Sequence, residues 1–141
     1  MDIISIFKED SEASRKDWAL LILRVCAGGL MAINHGYPKL LKLFGEEPIK
    51  FADVFGMGAP ASLTLAVLAE FVAGILIALG LLTRLSTIPA MFTMAVAAFM
   101  IHWADPFARK ESALIFLLMY LVIFLLGPGK MSLDWKLFGK K

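Results

Sequence analysis

Residues 61–103, ASLTLAVLAEFVAGILIALGLLTRLSTIPAMFTMAVAAFMIHW, set the structural class of this chain. Two apolar runs, residues 61–82 and 85–103, are separated only by Thr83 and Arg84. A helix needs about 20 mostly apolar residues to cross a hydrocarbon core of ~30 Å, and each run supplies roughly that length. Because the two intervening residues leave room only for a tight turn, the segment predicts an antiparallel hairpin of two membrane-spanning helices.

Two further apolar runs flank this hairpin. One covers residues 18–37 and is followed by Pro38, which we expect to end its helix. The other covers residues 112–126, stops at Gly127-Pro128-Gly129 and carries no charge, so it is expected to stand nearly upright or to be covered by its neighbours. The sequence therefore predicts an all-α fold, a transmembrane four-helix bundle that forms a single domain over residues 1–141.

Composition also indicates a lipid environment. Hydrophobic residues make up 60% of the 141 residues and charged residues 18%, with a mean hydropathy of +0.79. A soluble domain has about 45–50% apolar and 25% charged residues. The net charge of +2, spread over connectors and tails, argues against nucleic-acid binding. Cys26 is the single cysteine, which excludes an intramolecular disulfide and a CxxC redox pair.

The distribution of lysine and arginine predicts the orientation of the bundle. One side carries most of the basic residues, whereas those on the other side are diluted by acidic residues. The first group is Lys8, Arg15, Lys16, Arg84, Lys130, Lys136, Lys140 and Lys141. The positive-inside rule then places both termini in the cytoplasm. The opening residues lack the pattern of a signal peptide, and Ile3–Phe7 is expected either to lie flat on the membrane surface or to be disordered.

The ionisable side chains inside the predicted spans are the candidates for function. Arg24 and Glu70 lie deep in their spans, whereas His35 and His102 lie near the outer ends. A charge at the bilayer centre costs roughly 2.5–3.5 kcal/mol, so each deep group needs a partner, a cavity or an interface. We expect Arg24 and Glu70 to be joined either by a direct salt bridge or by a link through water or hydroxyl groups. The bridging side chains would be Asn34, Thr64 or Tyr120.

These residues have structural as well as functional interpretations. An arginine–glutamate pair can hold helices together, and a histidine can cap a helix end. A deep carboxylate is either paired or protonated, and a protonated one is a proton donor. Next to His35, Gly36 is expected to leave space for a ligand. We predict Glu70 and His35 as catalytic residues, with Arg24, His35, Lys39 and His102 as ligand-binding residues. No metal site is predicted, because histidines from two separate spans have no diagnostic spacing.

Several short motifs, taken in order, resemble those of the DoxX family. The first helix carries Leu23-Arg24-x3-Gly28 and Asn34-His35-Gly36-x-x-Lys39-Leu40. The second helix and its turn carry Glu70-x3-Gly74 and Leu79-Gly80-Leu81-Leu82-Thr83-Arg84-Leu85. Further motifs are His102-x-x-Asp105-Pro106-Phe107, with Glu111 and Ala113-Leu114, and Gly127-Pro128-Gly129-Lys130-x-Ser132-Leu133-Asp134. Each motif alone is weak, but their order and spacing over residues 17–135 make the resemblance specific.

The resemblance implies a multi-pass protein of the bacterial inner (plasma) membrane. One line of the family is the membrane subunit of a thiosulfate:quinone oxidoreductase, and others are linked to redox and oxidative-stress systems. In such a setting, His35 and Glu70 or His102 would supply hydrogen-bond donors and protons to a quinone. Arg24 would hold Glu70 or stabilise a developing anion. The sequence shows no motif for a protein-bound haem, flavin or iron–sulfur centre, so electrons would come from a redox partner protein or a soluble donor.

Three functions are compatible with the sequence. The first is a quinone-binding, redox-associated membrane subunit that handles protons through a buried polar cluster. The second is a non-catalytic membrane scaffold that recruits a soluble partner, and the third is a small-molecule transporter. Besides the lipid bilayer, the partners to consider are a redox protein and further copies of the chain in a homo-oligomer. A proton-handling site should fail on Glu70→Gln with the fold intact, whereas a scaffold should tolerate that change.

Overall fold

The computed structural model describes the backbone of residues 9–139 and the side chains of residues 15–139, and every regular element in this part is helical. Residues 9–43 form helix α1, which is followed by α2 (Ala59–Leu79), α3 (Thr83–Ile101), α4 (Phe107–Leu126) and the short α5 (Leu133–Phe138). The expectation for Ile3–Phe7 lies outside the described residues. The same holds for Lys8, Lys140 and Lys141, on which the orientation argument partly rests.

The long helices pack in a ring. Helix α1 contacts α2, α2 contacts α3, α3 contacts α4, and α4 returns to α1. The α1–α2 contact is close because Gly28 faces α2, where a Cβ atom on it would lie 2.4 Å from the Gly74 carbonyl oxygen. The buried core includes Ala27, Met31, Ile77 and Tyr120. The two helices of the predicted hairpin are therefore part of a packed bundle.

Three of the helices are long and apolar enough to cross a membrane: Arg15–Leu43, Ala59–Leu79 and Thr83–Ile101. Helix α4 has comparable length, but Arg109, Lys110 and Glu111 stand in its first turns. Large apolar side chains on the outside of the bundle are exposed on all four long helices. The part of the chain that the structure describes is thus all-helical and has three candidate membrane-spanning helices.

Two helix boundaries differ from the sequence prediction. The expectation that Pro38 ends the first helix was wrong, because α1 continues to Leu43. Pro38 stands at the start of the segment Tyr37–Leu43, directly after a π-helical turn, Met31–Gly36, and a proline early in a helical segment costs little.

The hairpin turn also falls earlier than expected. Thr83 opens α3, and the reversal occurs over residues 80–82, where Gly80 and Leu82 have φ values of 71° and 48°.

The segment after α4 closes one end of the bundle, which we call the closed end (residues 15–24, 77–84 and 124–135). The Asp134 carboxylate accepts the N–H groups of Leu82 and Thr83 at 2.7 and 2.9 Å, which caps the start of α3. The Asp134 N–H in turn donates to the Gly80 carbonyl oxygen at 2.8 Å. The hydroxyl of Ser132 accepts the N–H of Trp135 and begins α5. The motif that contains Ser132 and Asp134 therefore binds to the turn of the α2–α3 hairpin and stabilises it.

Candidate functional site

A cleft of about 820 Å³ lies away from the closed end. Its volume falls in the range of roughly 300–1,000 Å³ that is usual for small-molecule sites. All four long helices and the connector between α1 and α2 contribute to the wall, which is largely apolar. The polar and charged residues of the wall are His35, Lys39, Ser62, Glu70, Thr93, His102, Arg109 and Ser112. Four of the five predicted site residues, His35, Lys39, Glu70 and His102, thus line one cavity.

Each of the first three long helices contains a π-helical turn, Met31–Gly36, Leu68–Val72 or Ala97–Ile101. All three turns contribute residues to the cleft wall. A π-helical turn widens the helix and shifts the residues around its axis, and such turns are found frequently at functional sites. Arg24 is fully buried, whereas His35, inside the first of these turns, is exposed at the cleft.

Glu70 forms an ion pair with Lys39 across the contact between α1 and α2. Glu70 is only 3% exposed, and Lys39 is partly buried. A carboxylate held away from water needs such a partner, because leaving it unpaired is costly. Sequence reasoning selected both residues but did not pair them, because it ended the helix at Pro38. The continuation of α1 beyond that proline places Lys39 beside α2.

His35 is exposed on the cleft wall. Its ring meets the ring of Phe116 on α4 in an edge-to-face contact, with centroids 5.8 Å apart and an interplanar angle of 79°. The expectation that Gly36 leaves space for a ligand was wrong. A Cβ atom on Gly36 would lie 2.5 Å from the Cα of Phe71, so this glycine is a second point, besides Gly28, at which α1 and α2 approach closely.

His102 lies in the cleft wall directly after the end of α3. Its Nδ1 atom is 2.7 Å from an Asp105 carboxylate oxygen, and Arg109 approaches the same oxygen at 3.9 Å. The hydrogen bond with His102, assisted by the charge of Arg109, holds the pKa of the Asp105 carboxyl below its usual value. This group fixes the orientation of the imidazole ring at the mouth of the cleft.

The connector between α1 and α2 covers part of the cleft, which sequence reasoning did not predict. The Asp53 carboxylate accepts the N–H groups of Met57 and Gly58 and the hydroxyl of Ser62, at 2.8–2.9 Å. These hydrogen bonds, chiefly the one from Gly58, lower the pKa of the Asp53 carboxyl. Phe55 stacks on Phe92 of α3 with ring centroids 6.0 Å apart. An aspartate shortly before a Gly-x-Gly sequence is a signal for such a turn.

Arg24 lies at the closed end and does not line the cleft. It is fully buried and donates hydrogen bonds to the carbonyl oxygens of Ile77 (3.3 Å), Ala78 (3.2 Å) and Met131 (2.9 Å). Carbonyl groups at a helix carboxyl terminus lack intrahelical partners and favour a cation there. Arg24 therefore joins α1 to the end of α2 and to the segment that follows α4.

The expected direct salt bridge between Arg24 and Glu70 does not form among the described residues. Arg24 makes its hydrogen bonds with the three carbonyl groups, and Glu70 is paired with Lys39. The Tyr120 hydroxyl, one of the proposed bridges, donates to the Ala27 carbonyl oxygen at 3.3 Å. The two deep charges thus belong to separate parts of the molecule, one at the closed end and one at the cleft.

Comparison with known proteins agrees with the helical membrane fold. The family model for DoxX matches residues 19–103 of this chain. An uncharacterized protein of Haemophilus influenzae is 33% identical over 132 residues, which cover 89% of this chain and 95% of that protein. No solved structure matches the chain. The matched region contains α2, α3 and most of α1, and so includes His35, Lys39, Glu70 and His102.

Proposed function

Because the chain belongs to the DoxX family and is an integral membrane protein, we propose that its cleft binds a quinone and that it serves as the membrane subunit of a quinone-linked redox system. The observation that carries the proposal is the buried Lys39–Glu70 ion pair in the wall of a largely apolar cleft. A buried ion pair is often no more stabilising than apolar side chains of the same volume. A pair that faces a cavity is therefore better explained by binding and proton transfer than by stability.

The placement in the membrane is part of the proposal. We infer that α4 is a fourth span, that both termini are cytoplasmic, and that the membrane is the inner membrane of a bacterium. The apolar part of α4, residues 112–126, and the organism of the relative support this placement. Lys16, Arg84 and Lys130 at the closed end support a cytoplasmic position for that end. The cleft then opens toward the outer leaflet.

The cleft suits a quinone in size and in chemistry. Its apolar wall is fit for a ring and an isoprenoid tail, and the histidines at 35 and 102 offer nitrogen donors from two different helices. A bound quinone would itself carry two electrons and two protons. The side chains of His35 and His102 would donate hydrogen bonds to its carbonyl oxygens. The Lys39–Glu70 pair would hold a proton at the Glu70 carboxyl or the Lys39 amine and deliver it to the cleft.

Electrons would come from a partner protein or a soluble donor, because the sequence has no haem-attachment motif and no set of iron–sulfur cysteines. The role of this chain is then to bind the quinone, to exclude water from it and to supply protons. The connector with Phe55 stacked on Phe92 contributes to the exclusion of water from the cleft.

Blocking the cleft tests quinone binding. Ser112 is exposed and lines the cleft, whereas Ala108, one turn earlier on α4, is exposed and does not. A short-chain quinone titrated against the purified protein should bind to the wild type and to Ala108→Trp with similar affinity. It should bind at least tenfold more weakly to Ser112→Trp. Equal binding by the two tryptophan variants would refute the cleft as the site.

The alternative function is a non-catalytic membrane scaffold that recruits a soluble partner. A scaffold should keep its activity in Glu70→Gln and should lose partner recruitment when exposed residues such as Lys42 or Arg109 are changed. A transporter would need a polar path from the cleft to the closed end. The buried apolar residues Met31 and Ile123 lie between the cleft and the closed end, which favours a binding site over a transport path.

A further inference from the structure

We propose that a second pocket, at the closed end, binds the phosphate headgroup of an anionic phospholipid. The pocket has a volume of about 370 Å³ and lies between the amino-terminal third of α1, the start of α3 and the segment that follows α4. Three cations from these three parts of the chain line it: Lys16, Arg84 and Lys130. This site requires only that the protein spans a membrane, and it is independent of what the cleft binds.

The charges of this pocket are available to an anion. Within the described part of the chain, none of the three cations forms an ion pair with a carboxylate. The carboxylate in the wall, Asp17, accepts the backbone N–H of Lys130 at 2.9 Å. Arg84 donates to the carbonyl oxygens of Phe124 and Leu125, which leaves part of its guanidinium free for a further acceptor.

The hydrogen bonds of Arg84 also restrict the position of its guanidinium in the pocket wall. They hold the guanidinium against the end of α4, and a Cβ atom on Gly127 would lie 3.2 Å from the Arg84 Nη2. Gly127 also has a φ of 82°, a conformation that favours glycine. The backbone at this position therefore leaves the guanidinium room to lie flat at the pocket wall. A planar guanidinium in a fixed position suits two oxygens of one phosphate group.

The position of the pocket favours a lipid over free phosphate. Leu126 is the last residue of α4, Arg84 is the second residue of α3, and Lys16 lies two residues before the apolar run that starts at residue 18. These residues stand where membrane-spanning segments end, at the depth of lipid headgroups. Trp135 lines the pocket and lies 5.9 Å from the Lys130 ammonium, as in the aromatic belts of membrane interfaces. Leu125 and Leu126 are exposed beside it and can contact acyl chains.

Retention of lipid by the purified full chain tests the site. The protein would be transferred to a neutral detergent, mixed with equal amounts of phosphatidylglycerol and phosphatidylcholine, and examined by native mass spectrometry. The test variant is Lys16→Gln/Lys130→Gln, which removes two cations and leaves the Arg84 hydrogen bonds to α4 in place. The matched control is Lys42→Gln/Lys50→Gln, which makes the same change of charge outside the pocket, on residues that are also exposed.

A preference for phosphatidylglycerol over phosphatidylcholine is expected in the wild type and in the control. Each cation near an anionic headgroup contributes about a fivefold preference, so the double variant should lose roughly 25-fold. Equal retention of the two lipids by the wild type, or an unchanged preference in Lys16→Gln/Lys130→Gln, would overturn the proposal. Inorganic phosphate is the second probe. If millimolar phosphate displaces phosphatidylglycerol completely, the site recognises free phosphate and the assignment to a lipid is wrong.

Discussion

Lys39 of α1 and Glu70 of α2 form an ion pair that joins the two helices in the wall of the cleft. Glu70 stands inside the π-helical turn Leu68–Val72, and Lys39 follows the π-helical turn Met31–Gly36 by one helical turn. At the same level, Gly36 is packed against the backbone of Phe71. The irregular turns of both helices thus bring one buried carboxylate and one ammonium together at the cavity.

Removal of the Lys39 charge should destabilise the protein. In Lys39→Met the Glu70 carboxylate keeps its burial and loses its partner, and a broken buried pair costs roughly 3 kcal/mol. The double variant Lys39→Met/Glu70→Met should recover most of this loss, because it buries no charge. Thermal unfolding of the three proteins in the same detergent measures the difference. If the double variant is as unstable as Lys39→Met, the pair does not account for the effect.

Two adjacent glycines of α1 should respond in opposite directions to alanine. A Cβ atom on Gly28 would meet the Gly74 carbonyl oxygen at 2.4 Å, so Gly28→Ala should force α1 from α2 and cost about 1–3 kcal/mol. Gly29 has nothing within 4 Å of such an atom, and Gly29→Ala should stabilise the helix by up to about 1 kcal/mol. The two melting temperatures should lie on opposite sides of the wild-type value. A similar shift in both would contradict the close approach at Gly28.

Gly80 should contribute to stability because it leaves space for the Arg24 guanidinium at the closed end. Gly80 and Gly56 both have positive φ values, so alanine at either position costs about 1–2 kcal/mol in backbone strain. At Gly80 the added Cβ would also lie 2.2 Å from the Arg24 Nη1, whereas at Gly56 it would meet nothing within 4 Å. We expect Gly80→Ala to lower the unfolding free energy by at least about 2 kcal/mol more than Gly56→Ala. Equal losses in chemical denaturation would show that Arg24 can move without cost.

Acid should loosen the connector that covers the cleft. Hydrogen bonds from Gly58, Ser62 and Met57 lower the pKa of the Asp53 carboxyl in the folded protein. The ordinary value is roughly 3.9, so the contribution of this carboxylate is fully present above that pH. It is lost as the pH falls through the lower pKa of the folded state. The amide resonances of Met57 and Gly58, followed by NMR, should shift in that acidic range.

The variant Asp53→Asn serves as the control for this titration. It has no carboxyl group at the position, so the acid-dependent shift of the two amides should be absent. Persistence of the shift in Asp53→Asn would assign the titration to another group and would contradict the role of Asp53.

The sequence was sufficient to predict the helices because apolar runs of membrane-spanning length are a strong and local signal. Residues 61–82 and 85–103 correspond to α2 and α3 within a few residues. The resemblance to the DoxX family, drawn from motifs such as Asn34-His35-Gly36, is confirmed by the family match. The helix positions and the family resemblance both depend on short stretches of chain, so a single sequence is enough to predict them.

The arrangement within the site was harder to predict because it depends on departures from regular geometry. Three π-helical turns change the angular position of the residues that follow them, and regular α-helical periodicity does not predict such a change. Helix α1 continues past Pro38, and this change alone moves Lys39 from a loop to the side of Glu70. Arg24 was expected at the site because it is charged and deep, but its partners are backbone carbonyl groups that no sequence pattern reveals.

The proposed function predicts that quinone accompanies the protein. We would purify the chain in mild detergent and extract bound quinone for mass spectrometry from the wild type, Glu70→Gln, His35→Ala and the control Gly29→Ala. The account predicts quinone in the wild type and in Gly29→Ala, and its loss from Glu70→Gln and His35→Ala while both variants remain folded. Absence of quinone from the wild type, even after quinone is added to the purified protein, would contradict the account and would favour the scaffold.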